Sequence, residues 1–396
     1  MAFFSCLRSY TPSRSPRGRA HRSAAARFQP RLEALEDRCV PSTLKHHSPP
    51  PPAPTLTVIN TGDSGPGSLR YEIAAANPGD TITFAPSLDN QTINLSSGQL
   101  SINKNLNIQS PGAGLLAIRP ATHANVISYP RIFDVAANVT LNLSGLTLEN
   151  GGGTAWGSYY GNSGFPSPDP WDAYGGAILN FGALTVSGCS LLNNSVLPAG
   201  SASHAMYGGA IYNAGTLTLT DSTLSGNAAC LFSASSYVGR GGAIYNGGTA
   251  SISGCTLTGN TAGDGYSLGQ GGAIFNAGPL SLSGCTVSGN SASSGGGIFN
   301  RTSAASAVTL SNDTLKSNAA TTAGGAGSGL GGGLYVDYGT VTLTNDTVQS
   351  NTAANDGGGI YIASGAVVHL DGVTLAHVIN NTAHKHKNID GSFLTP

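Results

Sequence analysis

The chain has 396 residues, with 18 Lys and Arg against 19 Asp and Glu; 56 residues are Gly, and charged residues make up only 9%, against the roughly one quarter of ordinary globular usage. No stretch approaches the run of about 18 apolar residues that a membrane-spanning helix needs, and Gly does not recur at every third position as a collagen requires. What remains is a surplus of Gly, Ser, Thr, Asn and Ala with 39% hydrophobic residues, which can bury a core if short strands follow one another closely.

Charge divides the chain. Residues 1–54 carry eight Arg and Lys45 against Glu33, Glu36 and Asp37, net +6, and the rest carries nine basic against sixteen acidic residues, net -7. No Lys or Arg lies between Arg131 and Arg240, so the body cannot build the cationic surface that phosphates demand, and nucleic acid is not an expected partner. Residues 1–48 read as a basic, mostly disordered targeting or processing segment. Their one apolar run, Ala2-Phe3-Phe4, is too short for the core of a secretory signal. The stretch Arg31-Leu32-Glu33-Ala34-Leu35-Glu36-Asp37-Arg38, followed by Cys39-Val40-Pro41-Ser42, resembles a short N-terminal segment of exported or surface proteins in some bacteria; the same residues also read as a short amphipathic helix with Leu32 and Leu35 on one side. Residues 49–54, Pro49-Pro50-Pro51-Pro52-Ala53-Pro54, form a stiff polyproline linker, and residues 55–396 form the body.

The body opens with Ser68-Leu69-Arg70-Tyr71-Glu72-Ile73-Ala74-Ala75-Ala76-Asn77-Pro78. This predicts one short helix with Ser68 as N-cap, Leu69, Ile73 and Ala76 on one face, and Pro78 as its stop. Such a helix would cover the open first coil of a stack. Alternating runs follow at Thr81-Ile82-Thr83-Phe84, Thr92-Ile93-Asn94-Leu95, Leu100-Ser101-Ile102, Leu106-Asn107-Ile108 and Val139-Thr140-Leu141-Asn142-Leu143. Repeats then become plain. Gly175-Gly176-Ala177-Ile178 recurs as Gly208-Gly209-Ala210-Ile211, Gly241-Gly242-Ala243-Ile244 and Gly271-Gly272-Ala273-Ile274, and more loosely as Gly296-Gly297-Ile298, Gly332-Gly333-Leu334 and Gly358-Gly359-Ile360. Four of these phrases continue as Tyr212-Asn213, Tyr245-Asn246, Phe275-Asn276 and Phe299-Asn300. A second phrase ends each repeat in Asn194, Asn227, Asn260, Asn290, Asn318 and Asn351, at spacings of 33, 33, 30, 28 and 33.

The alternating runs span only three to five residues, so each repeat holds about three short strands separated by Gly, Ser and Asn corners, with no helical period between them. One unit cannot bury its own inner face. Stacking units in parallel and in register encloses the Ile, Leu and Val positions in a continuous core. The fold expected is therefore all-β, a single-stranded right-handed parallel β-helix with a short N-terminal capping helix; handedness follows from the preference of parallel crossovers. The step from Ile274 to Ile298, 24 residues, sets the bare coil.

The Gly-Gly-Ala-Ile phrases paired with Ser-Gly-Asn phrases resemble the repeats of bacterial polymorphic outer-membrane proteins, within the pectin-lyase-like β-helix superfamily, over roughly residues 56 to 390. The opening from Thr57 to Arg70 resembles the start of many secreted proteins with these repeats. The resemblance implies surface display and adhesion. Those outer-membrane proteins continue into a C-terminal β-barrel, whereas only a few residues follow the last coil here, so barrel anchoring is not carried over. Localisation is expected to be extracellular or at the cell surface, in the outer envelope.

The Asn column reads as an inward ladder of amide hydrogen bonds from coil to coil. Aligned on it, Cys189, Cys255 and Cys285 share one position with Ser222, Asp313 and Asp346 and read as small buried groups in a tapering corner, although Cys255 and Cys285, one coil apart, leave a disulfide open. No cysteine spacing suits a zinc site. His384 and His386 flank Lys385 and read as a solvated polar tail. No metal and no cofactor are expected.

The superfamily offers two enzyme chemistries: lyases with Asp-bound calcium and an Arg base, and glycosidases with a carboxylate cluster. The repeats supply only Arg240 and Arg301 as bases, and the best acidic pair is Asp313 with Asp346, which stacking would bring about one coil, some 5 Å, apart. They are weak catalytic candidates, because an Asp before Thr at a corner commonly bonds its own backbone.

The long insertions, residues 151–174, 195–207, 228–240, 261–270 and 319–330, all fall between the Asn phrase and the next Gly-Gly, so they emerge on one side, where repeat proteins commonly bind. The first holds Trp156 and Trp171, which are candidate ligand-binding side chains. Tyr174, Tyr207, Tyr237 and Tyr266 precede the repeat Ile by four to eight residues and are expected to recur along one edge as ligand-binding side chains; mutual packing of these aromatics is the competing reading. The function expected is a non-catalytic, monomeric β-helix protein presenting a loop-decorated face to an extracellular or envelope glycan, or to another surface protein, with polysaccharide cleavage as the alternative.

Overall fold

The computed structural model describes residues 55–121, 130–153, 173–197, 205–230, 237–263, 268–303, 306–322 and 329–395. They belong to a compact unit, Pro52–Pro396, and the expectations for residues 1–54, Trp156, Trp171 and Tyr266 lie outside the described residues.

The body is an all-β parallel β-helix. Three long parallel sheets of 11, 10 and 10 strands enclose the core, and two short parallel sheets of six and four strands stand at one corner. One coil shows the pattern: Ala205–Tyr207, Ile211–Asn213, Thr216–Thr220, Thr223–Ser225 and Ala228–Ala229, each in a different sheet. Each strand pairs with its equivalent one coil away, as in Ile211 with Ile244, Leu219 with Ile252 and Leu224 with Leu257. All of these side chains are 1% exposed or less. Alternation explains why: in a strand of three to five residues every second side chain faces inward, and the hydrophobes occupy those places.

The coil thus has up to five strands where the repeat pattern predicts about three. The two extra strands bracket the insertions: one follows the Asn phrase, as Ser195–Val196 and Ala228–Ala229, and one precedes Gly-Gly, as Ala173–Tyr174 and Ala205–Tyr207. They are too short, and too poor in large hydrophobes, to show as a period in the sequence. Together they form a flange with its own small core of Ala173, Val196, Met206, Ala229, Cys230 and Tyr237. Glycine permits the turn from flange to wall. Gly241 adopts φ +71°, and a Cβ on Gly242 would run into the Gly272 carbonyl of the next coil.

The N-terminal helix spans Leu69–Ala75, with Ser68 as its N-cap accepting from Tyr71 N at 3.3 Å. Leu69, Ile73 and Ala76 are buried against the core. Arg70 fastens this cap, donating to Asp63 Oδ1 at 2.9 Å and to the carbonyl oxygens of Gln99 at 2.9 Å and Gly98 at 2.6 Å. Among the described residues no helix is long and apolar enough to cross a membrane.

The Asn column is a continuous buried ladder from Asn194 through Asn227, Asn260, Asn290, Asn318 and Asn351 to Asn381. Asn260 shows the unit. Its Nδ2 donates to Asn290 Oδ1 at 2.9 Å and to the Leu224 carbonyl at 3.0 Å, its backbone N donates to Asn290 Oδ1 at 2.9 Å, and its Oδ1 accepts from Asn227 N at 3.0 Å and Nδ2 at 2.9 Å. No apolar side chain of that size can serve these groups. Asn260→Leu should therefore lower stability by about 3 kcal/mol or more, since each orphaned buried group costs about 1–3 kcal/mol; urea unfolding checks this, and an unchanged midpoint would show that the ladder contributes little.

Candidate functional site

On the wall strand that follows Gly-Gly, Ile faces inward, the next residue outward and Asn inward again. The outward residues stack. Tyr212, Tyr245, Phe275, Phe299, Tyr335 and Tyr361 form a file with centroid separations of 5.1, 5.3, 5.3, 4.6 and 4.9 Å and interplanar angles of 1, 6, 7, 6 and 19°. The sequence signal was the aromatic after each repeat Ile, legible as a phrase but not as a file until the coils are stacked. The Asn that follows is also a ladder: Asn180, Asn213, Asn246, Asn276 and Asn300 are each linked Nδ2 to Oδ1 at 2.7–2.8 Å.

Beside this file runs a column on the flange. Tyr174 pairs with Tyr207, Tyr207 with Arg240 and Arg240 with Gln270, and bridges continue through Ser294, Leu330 and Asp356. Tyr174 and Tyr207 stack at 5.1 Å and 5°, and both meet Tyr212 edge-on, at 4.9 and 6.1 Å. The Arg240 guanidinium lies 5.4 Å from the Tyr207 ring centre and 5.6 Å from that of Phe275, within cation–π range. Its Nη1 donates to the Tyr207 hydroxyl and its Nε to Gln270 Oε1, both at 3.2 Å. The expected edge of four tyrosines is thus corrected in part. Tyr237, three residues farther from the repeat Ile than Arg240, is 4% exposed inside the flange core, and Arg240 takes its place in the column.

Phe275 and Phe299 are buried, whereas Tyr174, Tyr207, Tyr212, Tyr245, Tyr335 and Tyr361 are half-buried. Within the file each ring face is covered by a neighbour, which leaves ring edges and hydroxyls for a ligand. Burial pushes the phenol of Tyr245 up, and burial with the nearby Asp337 carboxylate pushes that of Tyr335 up to about 12. The phenols therefore stay protonated and able to donate at neutral pH.

Asp313 and Asp346 do stack one coil apart, but at a corner of the core, 1% and 0% exposed. Asp313 Oδ1 accepts from Cys285 N at 2.6 Å and its Oδ2 from Ser311 N at 3.0 Å; Asp346 Oδ1 accepts from Asp313 N at 2.7 Å and its Oδ2 from Thr344 N at 3.0 Å. The same bond, from the backbone N of the preceding coil, is accepted by Cys189, Ser222, Cys255 and Thr374. The column is a chain of corner acceptors, and its carboxylates do not reach a surface where a polymer could be cut. Among the described residues Cys189, Cys230, Cys255 and Cys285 are buried and form no disulfide. Contact with the Cys285 thiol, together with burial, pushes the Cys255 thiol up.

A third group lies where the file ends. Asp390 pairs in register with Tyr361, and His386 Nδ1 lies 2.8 Å from Asp356 Oδ1 and 3.0 Å from Asp390 Oδ1. His386 is exposed, as a solvated polar segment would be, yet it is fastened to the flange end. Asp337, ion-paired with Arg301 at 3.3 Å, is close enough to Tyr361 to help raise its phenol, although burial is the larger cause and Asp390 and Asp356 act alongside it.

No protein-family model matches the chain, and no curated protein matches it. Among solved structures it is similar to an alginate lyase of family PL6, AlyGC, solved as a point mutant, with 14% sequence identity and a TM-score of 0.36. The alignment covers 80% of this chain but 44% of the lyase.

Burial raises both corner carboxyls, Asp313 and Asp346, to about 7, against an ordinary unfolded value of about 4. Between about pH 4 and pH 7 the folded chain then binds more protons than the unfolded one, so stability should fall as pH rises through that window. Asp63 acts in the opposite sense. Burial alone would raise it, but hydrogen bonds from Ser97 and Arg70 outweigh burial and hold it below its ordinary value, so its contribution is lost only as the medium grows more acidic than that ordinary value. Urea midpoints from pH 4 to pH 8 should decline in the wild type, and the decline should flatten in Asp313→Ser/Asp346→Ser, which places at both positions the residue found at Ser222. An equal decline in the variant would assign it to other groups.

Proposed function

We propose that the protein is an exported, non-catalytic β-helix scaffold that binds an extended glycan along the flange corner, where Tyr174, Tyr207, Arg240 and Gln270 run beside the aromatic file. The observation that carries this reading is the in-register row of half-buried phenols, repeating at about 5 Å with the coils. Phe275 and Phe299 interrupt the phenols, and in their coils Gln270 and Ser294 of the flange column continue the line of polar groups, so a polymer meets donors or acceptors beside rigid rings that lose little entropy on binding. Residues 1–54 would serve export and spacing, as their basic, Pro-rich composition suggests.

Polysaccharide cleavage is a second reading, and one observation favours it: Asp356, Asp390 and Asp337 gather around Tyr361, with Arg301 beside them. Two assays decide between the readings. On a glycan array, Tyr207→Ala/Tyr245→Ala should weaken binding about tenfold or more, equivalent to about 1.4 kcal/mol, with circular dichroism unchanged. Incubation with pectate or alginate, with and without calcium, should release neither unsaturated ends nor new reducing ends. Turnover abolished by Asp390→Asn would replace the binding reading with the enzymatic one, and array binding indifferent to the tyrosine changes would leave the rings as packing.

A further inference from the structure

The His386, Asp356 and Asp390 group lies at the C-terminal end of the flange and aromatic columns, and neither the ladders nor the glycan reading accounts for it. Its three ligand-type atoms come from two backbone segments, Asp356 on one and His386 with Asp390 four residues apart on the other, and lie within 4.8 Å of one another. Asp356 sits at the end of the bridged flange column, where its Oδ1 also accepts from Gly357 N at 3.0 Å. Asp390 sits on the strand paired with Tyr361. The segment that carries His386 is stitched to the previous coil by Gly358 N to the His386 carbonyl at 3.0 Å, His386 N to Asp356 Oδ1 at 2.9 Å and Lys385 N to the Asn355 carbonyl at 3.1 Å.

We infer that these three side chains form a binding site for one divalent transition-metal cation, of which zinc is the type. The donor set is one imidazole nitrogen and two carboxylates, a mixture that suits zinc and its neighbours and suits calcium, which prefers oxygen alone, poorly. The separations of 2.8 and 3.0 Å from Nδ1 to the two carboxylate oxygens are a few tenths of an ångström shorter than the roughly 3.4 Å between ligands of a tetrahedral cation with bonds of about 2.0–2.1 Å, so the three atoms need to spread only slightly to take one. One ring nitrogen cannot direct a single proton linearly at both oxygens, whereas a cation between the three atoms would serve all of them. Asp356 is 8% exposed and the His386 side chain 58% exposed, so the site has a buried floor and an open mouth, through which water or a ligand oxygen can complete the coordination. His384, two residues away, is not part of the group.

The test is isothermal titration of ZnCl2 into the full chain at pH 7.5 in a buffer that does not chelate, with CaCl2 titrated in parallel. The wild type should take up a zinc equivalent that weakens by more than about tenfold in His386→Ala and in Asp390→Asn, since even outer-shell partners cost that much. The equivalent should persist in His384→Ala, and calcium should not replace zinc. Because the His386 side chain is largely exposed, its removal leaves the core intact, which circular dichroism checks. Zinc uptake unchanged in both site variants, no uptake by the wild type, or equal binding of calcium would each overturn the inference and leave the three groups as a hydrogen-bonded clasp on the last coil.

Discussion

The constraint on which this structure depends is the buried amide of the corner asparagines. A side-chain amide with two donors and one carbonyl can satisfy both its own corner and the next only if successive coils repeat in strict register. Seven coils do this, from Asn194 to Asn381, and a second ladder from Asn180 to Asn300 holds the wall that carries the aromatic file. A slip of one residue would turn the Ile of each wall strand outward and bring the Tyr or Phe in, and it would orphan an amide in every coil. Register is thereby fixed by polar groups as well as by the fit of hydrophobes, which alone tolerate exchange of Leu, Val and Ile along each column.

From that register the surface follows without further design. Any residue type that recurs at one place in the repeat becomes a column, spaced by the coil. Aromatics after the repeat Ile become a stack, and residues four before it become the flange column. At the acidic corner the same logic gives Cys, Ser, Asp and Thr one shared task, that of accepting a backbone N–H from the preceding coil, and this is why Asp313 and Asp346, paired in space as carboxylates of an enzyme could be, are withdrawn from solvent.

Much of this was legible in the sequence, because repetition turns spacing along the chain into position in space. The Gly-Gly and Asn phrases gave the coils, and Ser68, Leu69, Ile73 and Ala76 gave the cap. Three features were hidden for physical reasons. Ser195–Val196 and its equivalents are strands of two residues, shorter than any period can show. Tyr237 looked equivalent to Tyr207 by type, yet the flange register counts residues back from the repeat Ile, and that count selects Arg240. His386 looked like part of a polar tail because Asp356, its partner, is 30 residues away in sequence and adjacent only after one more coil is wound.

The central claim, that corner amides hold the register while the flange rides on it, is tested most directly by residue-resolved amide hydrogen exchange on the native chain. The account predicts that the backbone amides of Asn227, Asn260, Asn290 and Asn318, each bonded to the Asn side chain of the next coil, are among the slowest to exchange, and that those of Tyr207, Arg240 and Gln270 on the flange exchange sooner. Corner amides that exchange as fast as the flange would contradict it.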